Sequence, residues 1–372
     1  MKRRIVLSVV AGLALVYAGF IGFNVLKYKP LRAKPLPGRQ EIEGVYHLHS
    51  RFSDGRGEFD AIARTAAEEG LRFVIFTDHG HPNLPSLEAQ GWKSGLLALA
   101  GSELSVSRGH LVALDFIPPR RPFPQNAEES MRQIRHQGGF GIVAHPYSKV
   151  RWNWGGPEVP SGIEIINGDS ELRHGYLQSL FWLPALPFNP RLALVKMLGN
   201  PRRALSKWDE LNARSRVYGY FSADSHLLYR PLFNFLRLHI FLPQPLSADF
   251  ETARGQVFDA LRRGKFYNAV DAARPARGFR FWAARKRRRV PMGGTAEPPI
   301  RLRVRVPYRC PKEVRLLRDG QTVASSGRSV LSYLARVPGT YRVEVYLRGR
   351  TPLAGDVPWI ISNPIFIREE QP

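Results

Sequence analysis

Apolar residues fall along this chain in three rhythms. The first is unbroken: residues 5–26, IVLSVVAGLALVYAGFIGFNVL, carry no charge and follow Met1-Lys2-Arg3-Arg4. A helix of that length spans the ~30 Å hydrocarbon layer of a bilayer. It runs straight into Lys27 without a small-x-small cleavage site, so it reads as an uncleaved anchor rather than a secretory signal. The second rhythm, from 41 to 272, alternates short apolar runs with helical stretches. DAIARTAAEEG places Ile62, Ala63, Ala66 and Ala67 at helical spacing and stops at Gly70, after which RFVIFTDH reads as a strand with a polar tip. The same grammar recurs in LLALAGSEL, GFGIVAHPY, GIEIINGD and VYGYFSADSH. Strands alternating with helices predict a parallel sheet or a βα barrel, with the active site at the strand ends. Beyond GKFYNAVDA the third rhythm begins. IRLRVRV, EVRLLRDGQTV and GTYRVEVYL alternate with period two around a turn at Asp319-Gly320, predicting a small antiparallel sandwich. The chain therefore divides into an anchor (1–27), a Pro-rich basic linker (28–40), an α/β domain (41–272) and an all-β domain (273–372).

Charge and cysteine content narrow the chemistry. The formal charge of +24 over 372 residues draws in polyanions: phosphorylated substrates, anionic lipid or nucleic acid. Cys310 is the single cysteine, which excludes an intramolecular disulfide and Cys-rich zinc modules, so a metal site must use His, Asp and Glu. Lys27, Lys29, Arg32 and Lys34 make the far flank of the anchor as basic as the near one, so the positive-inside rule does not set its orientation. A short tail bearing three cations is costly to translocate. The expectation is an N-terminus inside and the bulk of the chain on the extracytoplasmic (periplasmic) side.

The polar residues at the strand tips are His47, His49, Asp54, His79, Glu103, His110, His145, Asp224 and His226. So many imidazoles and carboxylates converging from separate strands need a cation to offset their desolvation and repulsion. His47 and His49, two apart on a strand end, fall on one face and can share an ion. Asp78 and Asp115 are candidates to orient ligands. HLHSRFSDG, FTDHG, GSELSV with RGHLVAL, AHPYSK and SADSH resemble, in order, the motifs of the PHP (polymerase and histidinol phosphatase) superfamily of metal-dependent phosphoesterases, over residues 41 to 272. GKFYNAV, the sandwich and PWIISNPIFI look more like its carbaryl-hydrolase-like branch.

That resemblance implies an α/β fold built on a distorted (βα)7 barrel and two or three divalent metal ions (Zn, Mn or Fe). By the same resemblance His47, His49 and Asp224 would bind one metal, Glu103 would bridge to a second held with His110 and His145, and Asp54, His79 and His226 would hold a third. Glu103, Asp224 and His226 are the residues expected to be catalytic. The implied activity is hydrolysis of a phosphate mono- or diester by a metal-activated water. Amide, carbamate or carboxyl-ester hydrolysis is the alternative with the same ligands, and a non-catalytic metal-binding scaffold the alternative from another class.

Other features are weighed against plainer roles. Arg51, Arg56, Lys149 and Arg151 fall in mouth loops where they could hold a phosphate or simply be solvated; Arg51, Lys149 and Arg151 are the substrate-binding candidates. RWNWGGPEVP is a packed loop or an aromatic lip. The apolar segment YLQSLFWLPALPFNPRLALVKMLGNPRRALSKWDEL packs over the barrel or rests in the headgroup region. ARKRRRV is an interdomain linker or a grip on anionic lipid or nucleic acid. Expected partners are a phosphorylated small-molecule or lipid substrate and a membrane. Nucleic acid is disfavoured because the sandwich lacks stacking platforms. His81, His136, His174 and His239 match no motif.

Overall fold

The computed structural model describes residues 2–29, 40–174, 176–286, 288–349 and 351–369; residues 30–39 of the expected linker lie outside them. Helix α1 (Lys2–Lys27) is the apolar N-terminal run and is long and apolar enough to cross a membrane. Strands β1 (Glu41–Leu48), β2 (Phe73–Phe76), β3 (Gly91–Lys93), β4 (Leu96–Ala100), β5 (Ser102–Val106), β6 (Gly109–Leu114), β7 (Phe140–Val143), β8 (Gly162–Asn167), β9 (Tyr218–Ser222), β10 (Leu236–Phe241) and β11 (Phe266–Val270) follow. Helices α2 (Phe59–Glu68), α3 (Leu84–Ala89), α4 (Ala127–His136), α5 (Gly168–His174), α6 (Tyr176–Trp182), α7 (Pro190–Met197), α8 (Arg202–Asn212), α9 (Tyr229–Phe233) and α10 (Phe250–Arg262) alternate with them. Their ends follow local chemistry. The Asn126, Asn189 and Asp249 side chains accept from the first-turn amides of α4, α7 and α10, and the turn after α2 ends at Gly70, whose φ of 77° suits glycine.

These strands lie in separate sheets, linked at the site end by the isolated bridges Leu48–Ser225 and His79–Glu103. They divide between a sheet ordered β11-β10-β1-β2-β4-β3 and a five-stranded sheet ordered β5-β6-β7-β8-β9. The two pack face to face through Tyr46, Ile75 and Leu99 on one side and Val112, Ile142, Ile163 and Tyr220 on the other, all in one buried cluster. At the site end they touch: Ala223 N donates to Tyr46 O (3.0 Å), His49 N to Ser225 O (3.0 Å) and Glu103 N to Thr77 O (3.2 Å). LLALAGSEL breaks into β4 and β5 at Gly101, where a Cβ would stand 2.4 Å from Ala113 O.

The C-terminal strands are β12 (Arg280–Arg285), β13 (Arg288–Pro291), β14 (Thr295–Ala296), β15 (Ile300–Arg305), β16 (Lys312–Arg318), β17 (Gln321–Ser326), β18 (Val330–Ala335), β19 (Gly339–Leu347), β20 (Ile360–Ser362) and β21 (Ile365–Ile367). They are sandwich-like. A sheet ordered β13-β12-β15-β18 buries Ala283, Leu302 and Val304 in the cluster that also holds Val314, Leu316, Val343 and Val345. The second layer is not a sheet of its own, because β20 pairs with β11 and extends the first sheet to twelve strands. The β16–β17 turn falls at Asp319-Gly320 with φ of 49° and 79°, the double positive φ that tight hairpins favour. ARKRRRV is a hairpin between β12 and β13, not a linker; Arg287 lies outside the described residues. With Arg301, Arg303 and Arg305 exposed on β15, these residues make the outer face of that sheet strongly basic.

The apolar excursion after β8 splits. Leu194, Val195, Leu198, Leu205, Trp208 and Leu211 pack on the main core as expected. Residues 176–188 instead lie against α1: Trp182 and Ala185, together with Leu192 on α7, share a buried cluster with Ile21, and Phe181 meets the rings of Tyr17 and Phe20.

Candidate metal centre

The site forms where the two sheets meet. The pairing of β1 with β2 shifts register between Tyr46 and Leu48, and His47 takes φ 69°. This bulge, rather than plain alternation, turns His47 inward beside His49, with the Nε2 atoms 3.1 Å apart. His145 (φ 24°) and Asp224 (φ 49°), just past the ends of β7 and β9, are also left-handed. Non-glycine residues rarely adopt that conformation, and its clustering here marks backbone strain held at a functional site.

All nine residues expected at the strand tips converge. Glu103, buried on β5, is the hub. Its Oε2 lies 3.1 Å from both His47 Nε2 and His49 Nε2, and its Oε1 lies 2.8 Å from both His110 Nδ1 and His145 Nε2. Asp224 Oδ1 is 3.4 Å from His47 and from His49. Asp54 Oδ2 lies 3.2 Å from His226 Nε2 and 3.7 Å from His79 Nε2. Three groups have ligand atoms within 4.8 Å of one another: His47, His49, Glu103 and Asp224; His79, Glu103 and His110; and His49, Asp54, His79 and His226. They overlap the three sets expected from sequence, with His49, His79 and Glu103 shared. His145 joins through Glu103.

Two supports were missed from sequence. Glu164, buried on β8, accepts from His47 Nδ1 (2.6 Å) and from the His145 backbone N–H (2.8 Å), and Asn167 Nδ2 donates to both Glu164 (2.8 Å) and Asp224 (3.1 Å). Asp78 accepts from Ser50 N and from the hydroxyls of Ser50, Ser53 and Ser86 at 2.7 to 3.0 Å, so it ties down the His49–Asp54 loop. Within that loop a Cβ on Gly55 would stand 2.2 Å from His49 O, so only glycine fits. Asp115 is not near the centre; it pairs with Arg254 (2.9 Å) and Arg262 (2.6 Å) at the far end of β6.

The field in the centre is strongly negative. Burial alone would lower the His49 and His145 imidazoles, but Asp224 and Glu103 around His49, and Glu103 above all at His145, outweigh it and carry both pKa values up to about 9. Burial would raise Glu103, yet the facing histidines hold it well below the usual carboxylate range. The hydrogen bond from His226 lowers Asp54. The donor set fits divalent cations. His47 Nδ1–H is committed to Glu164, which leaves the Nε2 lone pair for an ion, and His79 Nδ1 is buried without a hydrogen-bond partner.

A cavity of about 240 Å³ opens onto the centre, lined by His79, Glu103, His110, His145, Asp224 and His226, and by Lys149, Asp169 and Ser170. Lys149 is the one Lys or Arg among its described lining residues. Arg51 pairs with Glu58 (2.7 Å), and Arg51, Arg56 and Arg151 are exposed outside this lining. Trp152 is buried among Leu104, Leu111 and Met131, so its segment is a packed loop. His81 meets Phe123 O, His136 is exposed and the His174 side chain lies outside the described residues. His239 belongs to a second acidic group, Glu43, His239 and Asp271, in which Arg237 and Arg277 each lie 2.6 Å from Glu43. Arginines already balance those charges.

No family model matches the chain. Over 120 residues it is 30% identical to the uncharacterized protein MJ1587 of Methanocaldococcus jannaschii, covering 28% of this chain and 67% of that one. The chain belongs to the family of that protein. Among solved structures it resembles a two-domain protein of Bacteroides vulgatus containing a predicted PHP-like metal-dependent phosphoesterase, at 15% identity and TM-score 0.45, covering 91% of this chain and 99% of that one. It also resembles an amidohydrolase of Chromobacterium violaceum with bound sulfate and no metal, at 17% identity and TM-score 0.33, covering 49% of this chain and 87% of that one.

Proposed function

We propose that this protein is a membrane-anchored, metal-dependent hydrolase of PHP type that cleaves phosphate mono- or diesters. One observation carries the reading: a single buried carboxylate, Glu103, faces five imidazoles, those of His47, His49, His110 and His145 within 3.1 Å and His79 at 3.6 Å, while Asp224 and Asp54 close the two flanking groups. Divalent ions held there would supply an acidified water and neutralise phosphoryl oxygens. The chain does the rest. Glu164 fixes the His47 ring, Asn167 orients Asp224, and Lys149 at the mouth meets an anionic group entering the cavity. His226 lines the same cavity, its Nε2 3.2 Å from Asp54, so it helps to define the third group rather than standing free of it. The basic surface and the anchor favour a phosphorylated substrate at or near a bilayer. Asp169 and Ser170 line the cavity at the start of α5, and α6 follows directly, so the cavity lies a few turns of chain from the anchor.

The test is metal analysis of the purified full chain, then parallel assays on an aryl phosphate monoester, an aryl diester and an aryl carbamate. Bound Zn, Mn or Fe and phosphoester turnover that Glu103→Gln abolishes are expected. Turnover of the carbamate alone would move the assignment to carbonyl hydrolysis, and no metal uptake would sink it.

A further inference from the structure

Residues 175–190 carry no charge and are flanked by Arg173 and Arg191. An uncharged stretch of this size is too short to cross a bilayer but suits a core helix or a re-entrant segment. It is not a core helix. Leu177 is 82% exposed, Phe188 78% and Leu183 50%, and Leu180 and Phe181 also face outward. In water such a contiguous patch would be a liability.

Its neighbour fixes its depth. Tyr17 Oη donates to Phe181 O (2.7 Å), the Phe181 ring lies 5.1 Å from Tyr17, and the Trp182 ring lies 5.9 Å from Phe20. At ~1.5 Å per residue, these positions of α1 stand ~10–15 Å along the axis from Lys27. With Lys2 to Arg4 at one surface of a ~30 Å hydrocarbon layer and Lys27 at the other, that is well inside the leaflet on the domain side. Whatever packs beside Tyr17 shares its depth. We infer that residues 176–188 form a re-entrant knuckle inserted into that leaflet against α1, with acyl chains covering Leu177, Leu180, Leu183 and Phe188. The inference rests on α1 spanning the bilayer.

Backbone chemistry suits that solvent, which cannot satisfy loose polar groups. In the turn, Leu186 N donates to Leu183 O (3.0 Å), Phe188 N to Ala185 O (3.2 Å) and Asn189 N to Ala185 O (2.8 Å). Asn189 Nδ2 donates to Val25 O (3.3 Å) and Tyr28 O (3.0 Å), capping carbonyls at the end of α1. At that same end Lys27, Lys29, Arg274 and Arg348 line a cavity of about 500 Å³, a cationic collar at headgroup level.

The full chain, with Cys310→Ser and one added cysteine carrying an environment-sensitive fluorophore, would be reconstituted in phosphatidylcholine–phosphatidylglycerol vesicles. Probes at Leu177→Cys, Leu183→Cys and Phe188→Cys should lose fluorescence to nitroxide-bearing lipid and be unreachable by iodide, as should the reference Val9→Cys in α1. Val330→Cys, on the exposed C-terminal sheet, should do the opposite. Iodide quenching at 177, 183 and 188 with Val9 in lipid overturns the knuckle and keeps the anchor. Iodide quenching at all four overturns both, while leaving the hydrolase reading, which the assay does not touch. Shielding from both quenchers, with a dimer on cross-linking through 188, assigns the patch to a second copy and also overturns the inference.

Discussion

Glu103 is the residue on which the centre turns, but Glu164 behind it makes the sharper test. Its carboxylate holds both the His47 ring and the His145 amide without lying on the cavity. Glu164→Gln keeps the shape and removes the charge that orients His47. Metal affinity, read by titration, is expected to fall by about 10–100-fold, as when outer ligands of a metal site are lost, with the far-UV spectrum unchanged. Gly55→Ala acts by a different route. A Cβ 2.2 Å from His49 O must displace backbone, so activity should be lost along with about 1–3 kcal/mol of stability by denaturant melt. Most of the nine residues were legible because they sit at the border of a hydrophobic run, where a lone His, Asp or Glu stands out; Asp54, in the loop after β1, was legible only through its SDG motif. Glu164 sits inside GIEIIN, where its neighbours say only "buried strand". The available signal was that a carboxylate in such a strand must have a partner. Arg51 and Arg151 could not be resolved this way, since a loop charge is placed by the path of the loop and not by its own spacing.

Strand β1 carries His47 of the candidate centre at one end and a charge network at the other. Burial would lower His239, but Asp271, Glu43 and Glu41 carry it up to about 10. Burial would raise Glu41 and Glu43, but His239 together with Arg280 at Glu41, and with Arg237 and Arg277 at Glu43, brings both down to about 2. The signs then differ. The histidine's raised pKa adds stability that is complete below its unfolded value of ~6.5 and is lost as pH climbs through about 10. The glutamates add stability present above ~4.5 and lost as pH falls toward 2. His239→Gln should therefore cost about 3 kcal/mol near pH 6, and the gap from the parent should close by pH 10 in urea melts. Legibility differed between elements for a related reason. Helices, strands and the Asp319-Gly320 hairpin follow from local period and turn chemistry. The division into two sheets and the β11–β20 pairing join residues far apart in sequence, and no local pattern encodes them.

At the scale of the molecule, the question is whether the C-terminal strands unfold on their own. The β11–β20 pairing makes one sheet of both parts, and Arg342 on β19 pairs with Asp209 on α8 through two contacts of 3.0 and 2.8 Å. Arg342 is buried between Asp209 and Glu344, so removing Asp209 leaves it one carboxylate and two unmade hydrogen bonds, from Nε and Nη2. Leaving such donors unpaired costs about 1–3 kcal/mol. If the parts are one cooperative unit, a perturbation at either end moves the same transition. Metal at about 100 times its Kd should stabilise the fold by about 2.7 kcal/mol, a shift of about 4 °C in Tm for a cooperative unit of this length. Calorimetry of the full chain in detergent should therefore show one endotherm above any signal from α1. Chelation should lower it, Asp209→Ala should lower it, and the two shifts should add, because the sites share no partner. Two endotherms, with chelator moving one and Asp209→Ala the other, would mean that the shared sheet does not couple the C-terminal strands to the metal centre.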